Sequence, residues 1–397
     1  MSQLPSRRRQ PHPRPSDPET NLAGYRAFGW HRAGGASTVC DRRHAERTVN
    51  SSDWNRRSGF PEASSPGCEQ LLAALYGTGV TSLAQLSRQL GASLDRVRQL
   101  LAELSTSGCR LEISPGGVHL ETVSWPWWRA ILERRSAQCG RQLGRHTLVF
   151  AQTTSTNDIC RQLAPGLPSG RPAAGLAEPL VVLADWQSAG RGRGANRWVA
   201  KPGQSILMSV WLPCRPPDAQ RLTLAAGLAC ARCLESLTGQ NAELQWPNDV
   251  LLSGRKVAGI LCETRPAAAA ETALYHYTIG IGLNVAQQPL DFPPELRVGA
   301  GSLLMATGRH WSRLPIIDEL LDQLERLCVQ PVSPEEIAAA WKSRCAMLAD
   351  KVTIHCAGRS LTGRVADIDP LRGLVLRDAQ GHCHFCSAEQ SRIIQVG

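Results

Sequence analysis

Between residues 126 and 345, short apolar runs alternate with helical patterns, and this alternation most limits the folds available to the chain. The runs LVF, LVVLADW, SILMSVWL, ELQWPNDVLL, KVAGILCET and YTIGIGLNV predict strands. A helix from Asn157, a long apolar helix and the amphipathic segments IIDELLDQLERLC and PEEIAAAWKSR separate or follow them. The mixture predicts one α+β domain over 126–345.

Three further regions flank this domain. Residues 66–125 contain three helical patterns with a Gly-containing turn and then the hairpin RLEISPGGVHLETV, which predicts a winged helix-turn-helix module. Residues 346–397 show short alternating strands with tight turns, typical of a small β-barrel. Residues 1–65 are rich in Arg, Pro, Ser and Gly without regular apolar spacing, and predict a disordered arm. An upstream start-site extension without function is the alternative for this arm.

The net charge of +10 suggests an anionic partner, and it is concentrated in two places. The arm holds eleven Arg, no Lys and six acidic residues. The stretch 186–217 has no acid and five cations: Arg191, Arg193, Arg197, Lys201 and Arg215. The helical module is net acidic, and Asp95 would repel phosphate near the start of its recognition helix. Contact with DNA is therefore assigned only to Arg96, Arg98 and Gln99, and docking or dimerisation stays open as an alternative for the module.

Several classes of protein are disfavoured. No apolar run approaches the roughly 18–20 residues of a membrane-spanning helix, and the basic N-terminus lacks the apolar core of a secretory signal. The fourteen Cys predict reduced thiols in the cytoplasm. The segment GHCHFC contains Cys383 and Cys386, but strand alternation would point neighbouring side chains to opposite faces. An ordinary strand is therefore favoured there over a zinc site, and no metal is assigned to protein side chains.

The sharpest functional feature is the Gly–Arg loop, residues 190–205, with the sequence GRGRGANRWVAKPGQS. Glycines alternate with Arg191 and Arg193, so the backbone can bend sharply while guanidinium groups project. Backbone N–H groups and Arg side chains together suit phosphate or carboxylate oxygens. A dinucleotide fingerprint is excluded because Pro202 and Gly203 block the helix that must follow, and no GK[ST] of a phosphate-binding Walker loop is present.

Three other segments complete the candidate site. In WPNDVLLSGRKVAGI, a turn at Ser253 and Gly254 would bring Lys256 beside Asn248 and Asp249, where an ammonium suits a carboxylate or an α-phosphate. In TTSTND, Ser155 and Asp158 predict a capping box, and the helix start offers donors to a small polar ligand. In IGIGLNV, Gly280 and Gly282 allow close approach to a strand.

The segments STN, WQSAGRGR with its following RW, WPND, GRKVAGI and IGIGLNV, in this order, closely resemble those of biotin–protein ligases. The resemblance covers about residues 68–397 and implies a central mixed sheet in the α+β catalytic domain. The module and the terminal SH3-like barrel resemble the bifunctional class that also represses biotin synthesis. It implies that biotin attacks the α-phosphate of ATP, with Mg²⁺, to give biotinyl-adenylate. A lysine on the biotin carboxyl carrier domain of acetyl-CoA carboxylase would then accept the biotin.

The resemblance also implies residue roles. Biotin binding falls to Ser155, Thr156, Asn157, Gln187, Arg191, Gly192, Arg193 and Lys256. Of these, the catalytic residues are Arg191, Arg193 and Lys256. Nucleotide binding falls to Trp198, Asn248, Asp249 and Asn284, with Trp198 covering the adenylate. The family further implies a homodimer on adenylate binding and no membrane association.

Two other hypotheses stay open beside the ligase. A lipoate–protein ligase would share the catalytic fold, although the GRGR loop argues against it. A DNA-binding biotin sensor would bind operator DNA without ligation. A combined ligase and repressor lies between these, and the acidic module weakens its repressor part without affecting ligation.

Overall fold

The structure is a computed structural model and describes residues 66–163, 178–194, 196–214, 219–266, 275–369, 372–387 and 391–396. The arm predicted for residues 1–65 lies outside these residues. The helices are α1 Pro66–Leu75, α2 Leu83–Leu90, α3 Leu94–Thr106, α4 Trp128–Cys139, α5 Thr156–Leu163, α6 Ala219–Thr238, α7 Leu303–Thr307, α8 Arg313–Leu324 and α9 Pro334–Lys342. The strands are β1 Arg110–Ser114, β2 Gly117–Thr122, β3 Thr147–Thr153, β4 Leu180–Gln187, β5 Ser205–Cys214, β6 Ala242–Gln245, β7 Asp249–Leu252, β8 Arg255–Pro266, β9 Tyr275–Asn284, β10 Lys351–Cys356, β11 Arg359–Asp369, β12 Gly373–Arg377, β13 Cys383–Ser387 and β14 Ser391–Val396.

Helices α1 to α3 and the β1–β2 hairpin follow one another in the predicted order. A capping box between Ser82 and Gln85 starts α2, and the hydroxyl of Ser93 caps α3. Gly117 has φ +141° at the hairpin turn, and a Cβ there would lie 2.3 Å from the carbonyl oxygen of Thr81. Only glycine therefore lets the hairpin pack against the segment between α1 and α2.

The central sheet has seven strands in the order β3-β4-β5-β9-β8-β7-β6, with β3 and β4 parallel and every other neighbouring pair antiparallel. Alternation along the strands divides the core. Val149, Val181 and Leu183 share a cluster with residues of α6 and α8, whereas Phe150 and Val182 pack with Cys160 of α5. The predicted α+β domain on a mixed sheet is confirmed.

The run ELQWPNDVLL, expected as one strand, is a hairpin of β6 and β7, because Pro247 cannot donate to a strand ladder. Strand β7 then turns at Ser253 and Gly254, both with positive φ, into β8. This second turn is the predicted one, and it sets the position of Lys256.

The last five strands pair in the order β13-β12-β11-β10-β14. Within the described residues the two outer strands do not pair with each other, so the sheet is open there rather than the closed barrel that was predicted. Cys383 is exposed and Cys386 is buried, which shows the strand alternation expected for GHCHFC. The described part of the chain contains no cluster of three or more His, Cys, Asp or Glu placed to hold a metal ion. No helix in these residues has the length and apolarity needed to cross a membrane.

Candidate active site

A cavity of about 110 Å³ lies over the middle of the central sheet, where β5, β8 and β9 run side by side. The start of α5 and the end of β4 form one wall, and the Gly–Arg loop forms another. The described side chains facing it include Ser155, Gln187, Arg193, Trp198, Asn248 and Lys256. The cavity thus collects residues from five segments far apart in the sequence.

The Gly–Arg loop folds back on itself through short backbone hydrogen bonds. The N–H of Gly192 donates to the carbonyl of Asn196 at 2.8 Å, and the N–H of Trp198 donates to Gly190 at 3.1 Å. A Cβ on Gly190 would lie 2.5 Å from the carbonyl oxygen of Trp198. The glycine spacing is therefore required by the turn, and the turn delivers the indole of Trp198 onto the sheet.

The indole of Trp198 rests on a glycine floor formed by Gly259 of β8 and Gly282 of β9. A Cβ at position 282 would lie 2.4 Å from the ring, and one at 259 would lie 3.1 Å from it. These two residues face each other across the β8–β9 ladder. A side chain at 282 would displace the ring and one at 259 would crowd it, so the two glycines create the room for the indole.

Buried hydrogen bonds fix the polar wall of the cavity. The side-chain oxygen of Gln187 accepts from the N–H of Thr156 at 2.7 Å. Ser209 of β5 lies with its hydroxyl 2.7 Å from the Thr156 hydroxyl and 2.5 Å from the side-chain oxygen of Asn157. Ser155 also lines the cavity, and its hydroxyl makes no hydrogen bond to other described residues. The side-chain N–H groups of Gln187 are likewise unused by these residues.

Carboxylates from other elements hold Arg191. Its guanidinium donates to Asp158 of α5 at 2.8 Å and to both oxygens of Glu263 of β8 at 3.3 Å. Burial raises the pKa of Asp158, but its bonds and charge interactions with Arg191 and Arg161 outweigh this and lower the pKa overall. Arg161 pairs with the same carboxylate. The loop is therefore tied to both α5 and the sheet.

Two other cations, Arg193 and Lys256, also line the cavity. The ammonium of Lys256 lies 2.7 Å from the carboxylate of Asp249, and the side chain of Asn248 donates to the carbonyl of Ile260 at 2.7 Å. Burial lowers the pKa of Arg193, while the negative charge of Asp249 opposes that shift. The hairpin thus brings Lys256, Asn248 and Asp249 together as predicted.

Comparison with known proteins agrees with this architecture. The pattern of the biotin/lipoate A/B protein ligase family matches residues 149–284. The biotin--[acetyl-CoA-carboxylase] ligase of Mycobacterium tuberculosis is 33% identical over 250 residues, covering 60% of this chain and 86% of that protein. The chain belongs to the biotin–protein ligase family.

Two further comparisons extend this relationship. The bifunctional ligase/repressor BirA of Bacillus subtilis is 29% identical over 320 residues, covering 79% of this chain and 94% of that protein. A biotin protein ligase variant from Aquifex aeolicus, solved with biotin, superimposes with a TM-score of 0.50 at 22% identity, covering 63% of this chain and 98% of that one. The second comparison shows that the fold is that of a biotin protein ligase.

Most residues predicted for a biotin–protein ligase site line the cavity. These are Ser155, Thr156, Asn157, Gln187, Arg191, Gly192, Arg193, Trp198, Asn248 and Lys256. Asp249 does not line the cavity but pairs with Lys256, which does. Asn284 does not line the cavity, because its amide bonds to the carbonyl of Gly301 and to Gln287 beneath it. The predicted capping box is absent from the described residues, because the carboxylate of Asp158 pairs with Arg191 and Arg161 instead.

Sequence reasoning missed two members of this site. Glu263 contacts both Arg191 and Asn157, although it sits at the end of an apolar strand pattern that gave no reason to single it out. Ser209 is fully buried in the run SILMSVWL, where a hydroxyl between apolar residues was a usable signal.

The residues assigned to DNA lie on α3, away from the cavity. Arg98 pairs with Asp95 at 2.8 Å and Arg96 with Glu103 at 3.3 Å, both within the same helix. Gln99 is exposed. The two cations on this surface are therefore already partnered by carboxylates.

Proposed function

We propose that this protein is a biotin–protein ligase, which activates biotin with ATP to biotinyl-5′-AMP and transfers it to a lysine of a carboxylase carrier domain. The observation that carries the proposal is one cavity lined both by a polar wall able to bind a ureido ring and by the cations Lys256 and Arg193. Biotin would lie with its ring at the wall and its carboxylate at the cations.

The wall offers both kinds of hydrogen-bonding group that a ureido ring needs. The side-chain oxygen of Asn157 accepts from Ser209 and retains a second lone pair for a ligand N–H. The Ser155 hydroxyl and the Gln187 amide supply donors for a carbonyl oxygen. The dithiolane ring of lipoate has no N–H or carbonyl to use them, and buried polar groups left without partners reduce affinity. This wall favours biotin over lipoate.

The first chemical step joins two anions, so it depends on charge neutralisation and alignment more than on acid–base groups. Lys256 and Arg193 hold the biotin carboxylate against the α-phosphate, and a carboxylate oxygen displaces pyrophosphate. Because Asp249 pairs with Lys256, the ammonium is held on the cavity wall before substrate arrives. The Gly–Arg loop and Trp198 then keep water from the reactive anhydride.

Mg²⁺ accompanies ATP in this proposal, bound by phosphate oxygens. The carboxylates of Asp158, Glu263 and Asp249 are paired with Arg191 or Lys256, so these residues do not form a protein-side metal site. In the second step the neutral ε-amine of the acceptor lysine attacks the acyl carbon of the adenylate, and AMP leaves as the amide forms.

The test is to mix the purified protein with biotin, Mg-ATP and a biotin carboxyl carrier domain. We expect pyrophosphate release that depends on biotin and a mass increase of one biotin on the carrier. Thermal stabilisation by biotin but not by lipoate would separate the two ligases. Stabilisation by biotin without any labelling of the carrier would instead favour the ligand sensor.

A second candidate function is operator binding, favoured by the three helices and hairpin that precede the catalytic domain. These elements fit a winged helix-turn-helix module, and the match of the whole chain to the Bacillus subtilis relative covers 94% of that protein. Gel-shift titration of the full chain with promoter DNA, with and without biotin and ATP, tests this function. Operator binding requires sequence preference and a steep dependence on salt.

Homodimerisation on adenylate binding is part of the proposal. Strand β3 is the outer strand of the central sheet, whereas β6 at the other edge bonds to residues 344 and 346. Edge strands pair readily with a second chain, so β3 is the expected contact. Sedimentation with and without biotin and ATP tests this step. The twelve cysteines among the described residues form no disulfide with one another, which fits the proposed reducing cytoplasm.

A further inference from the structure

Glu263 of β8 lies between Asn157 of the polar wall and Arg191 of the Gly–Arg loop. It does not line the cavity and is not part of the loop. Its carboxylate accepts from the side-chain nitrogen of Asn157 at 2.9 Å and from the guanidinium of Arg191 at 3.3 Å. Its side chain is about one-third exposed, whereas Asn157 is almost fully buried. We propose that Glu263 is a positioning residue that fixes the orientation of the Asn157 amide for biotin; this inference rests on the proposed function.

An ionised carboxylate only accepts hydrogen bonds, so the Asn157 nitrogen must face Glu263. The carbonyl of Leu261, 3.4 Å away, is a second acceptor on the same side. The Asn157 oxygen is then forced toward Ser209 and Gly280, which is the side of the cavity. A rotated amide would place its oxygen against a negative charge and turn donors toward the N–H groups of the ligand.

Arg191 of the Gly–Arg loop also binds the Glu263 carboxylate. Two carboxylates hold its guanidinium, so its charge is largely neutralised before a substrate binds. We therefore assign Arg191 to holding the Gly–Arg loop and leave charge neutralisation of the reacting groups to Arg193 and Lys256. Glu263 links this anchor to the biotin ring site, so that one carboxylate serves both.

The test exchanges donor and acceptor across the Asn157–Glu263 pair. Glu263→Gln replaces a pure acceptor by a group that can face Asn157 with either oxygen or nitrogen. We expect a rise of about tenfold in the biotin KM and Kd, with the ATP KM within about twofold of the original. The double variant Glu263→Gln with Asn157→Asp keeps the total charge, and the introduced glutamine amide then donates to a carboxylate whose second oxygen still accepts from biotin. We expect it to restore the biotin KM to within about threefold.

Asn157→Asp alone places two carboxylates in contact and should raise the biotin KM at least as far as Glu263→Gln does. Asp158→Asn is the matched control, because it removes the other carboxylate from Arg191 and leaves the partners of Asn157 in place. Its effect on the biotin KM should be less than one-third of that of Glu263→Gln, and Asn157→Asp should not rescue it.

Calorimetric Kd values for biotin and steady-state KM values give the outcome. An unchanged KM in Glu263→Gln, or a raised KM that the exchange does not restore, overturns the inference. If Glu263→Gln does not fold, the double variant is compared directly with wild type and with Asn157→Asp, and poor biotin binding by the double variant is then decisive against it. Absence of biotin binding by the wild-type protein would instead defeat the proposed function, and the inference with it.

Discussion

Arginines in two regions of this chain are paired with carboxylates, but the two regions differ in how far away in the sequence those carboxylates lie. Around the cavity, Arg191 is bound by Asp158 and Glu263, which come from a helix and a strand elsewhere in the sequence. On α3, Arg96 and Arg98 are bound by carboxylates of their own helix. The first arrangement ties three elements together, whereas the second leaves an exposed helix face with little net charge.

This difference separates a built site from an ordinary surface. Exposed pairs within one helix contribute little to stability and exchange readily with solvent, and the Asp95 side chain is 92% exposed. The pair of Arg191 with Asp158 is mostly buried on the acidic side, at 13% exposure, and constrains where the loop can lie. The pairing of Arg191 therefore fixes the loop beside the cavity, whereas the pairs on α3 fix nothing outside their own helix.

The largest effect should come from Lys256→Ala. Removing the ammonium leaves the biotin carboxylate unneutralised as it attacks the phosphate, so adenylate formation should fall by about 10²–10³-fold. Biotin-dependent pyrophosphate release measures the change. Lys342→Ala is the matched control, because Lys342 pairs with Asp367 on the surface and should leave the rate unchanged. Equal rates for wild type and Lys256→Ala would remove the functional distinction between the two regions.

Gly282→Ala should have the next largest effect. The new Cβ would lie 2.4 Å from the Trp198 ring and must displace it from the glycine floor. We expect adenylate formation to fall by about 10–100-fold and preformed adenylate to be hydrolysed faster, measured by pyrophosphate release and by trapping AMP. Gly227→Ala, in α6, is the control, since its Cβ would have only ordinary contacts, none closer than 3.6 Å. A rate for Gly282→Ala equal to that of this control would show that the floor is not needed.

The fold was predictable where local patterns carry it. Alternating runs and capping residues predict strands and helices, and Ser82 with Gln85 or Ser253 with Gly254 mark their boundaries. The split of ELQWPNDVLL at Pro247 was missed although the proline was a local signal for it, whereas tertiary pairing decides which half joins which neighbour. Strand order and the open edge of the last sheet depend on such distant pairing, which no local spacing encodes.

The site was predictable where function needs unusual residues close together in sequence. Glycines alternating with Arg191 and Arg193 in a loop without acids, and Lys256 just after a tight turn, were sufficient signals. The absence of acids from the loop gave an incomplete picture of its charge. The carboxylates that pair with Arg191 are those of Asp158 and Glu263, which lie 33 and 72 residues away in the sequence. Asn284 shows the reverse case, a residue at a notable sequence position whose amide is used by the protein itself.

The pH dependence of stability in the variant Asp158→Asn tests the pairing around the cavity against the exposed pairing on α3. Arg191 and Arg161 lower the pKa of Asp158 in the folded chain below its unfolded value of about 4. The stabilising contribution is therefore fully present above about pH 4 and is lost as the pH falls through the lowered folded value. The difference in the free energy of unfolding between wild type and variant should be constant from pH 7 to about 5 and shrink below about 4. Urea unfolding measures it, with Asp95→Asn as the exposed control, and a difference that does not change with pH would contradict the pairing.

The smallest effect should come from neutralising the acids of α3, in the variant Asp95→Asn with Glu103→Gln. Each change leaves an arginine without its carboxylate, and exposed ion pairs are worth only about 0.2–1 kcal/mol, so stability should barely change. Binding to a generic DNA duplex should instead strengthen several-fold, with a steeper dependence on salt by up to about two phosphate contacts. Fluorescence anisotropy at 50 and 200 mM salt (about the range over which such contacts weaken) measures both quantities. Adding Arg96→Ala and Arg98→Ala should remove the gain. If the same two alanines abolish DNA binding by the otherwise wild-type chain, the helix engages phosphate despite its carboxylates, and the distinction between the two regions fails.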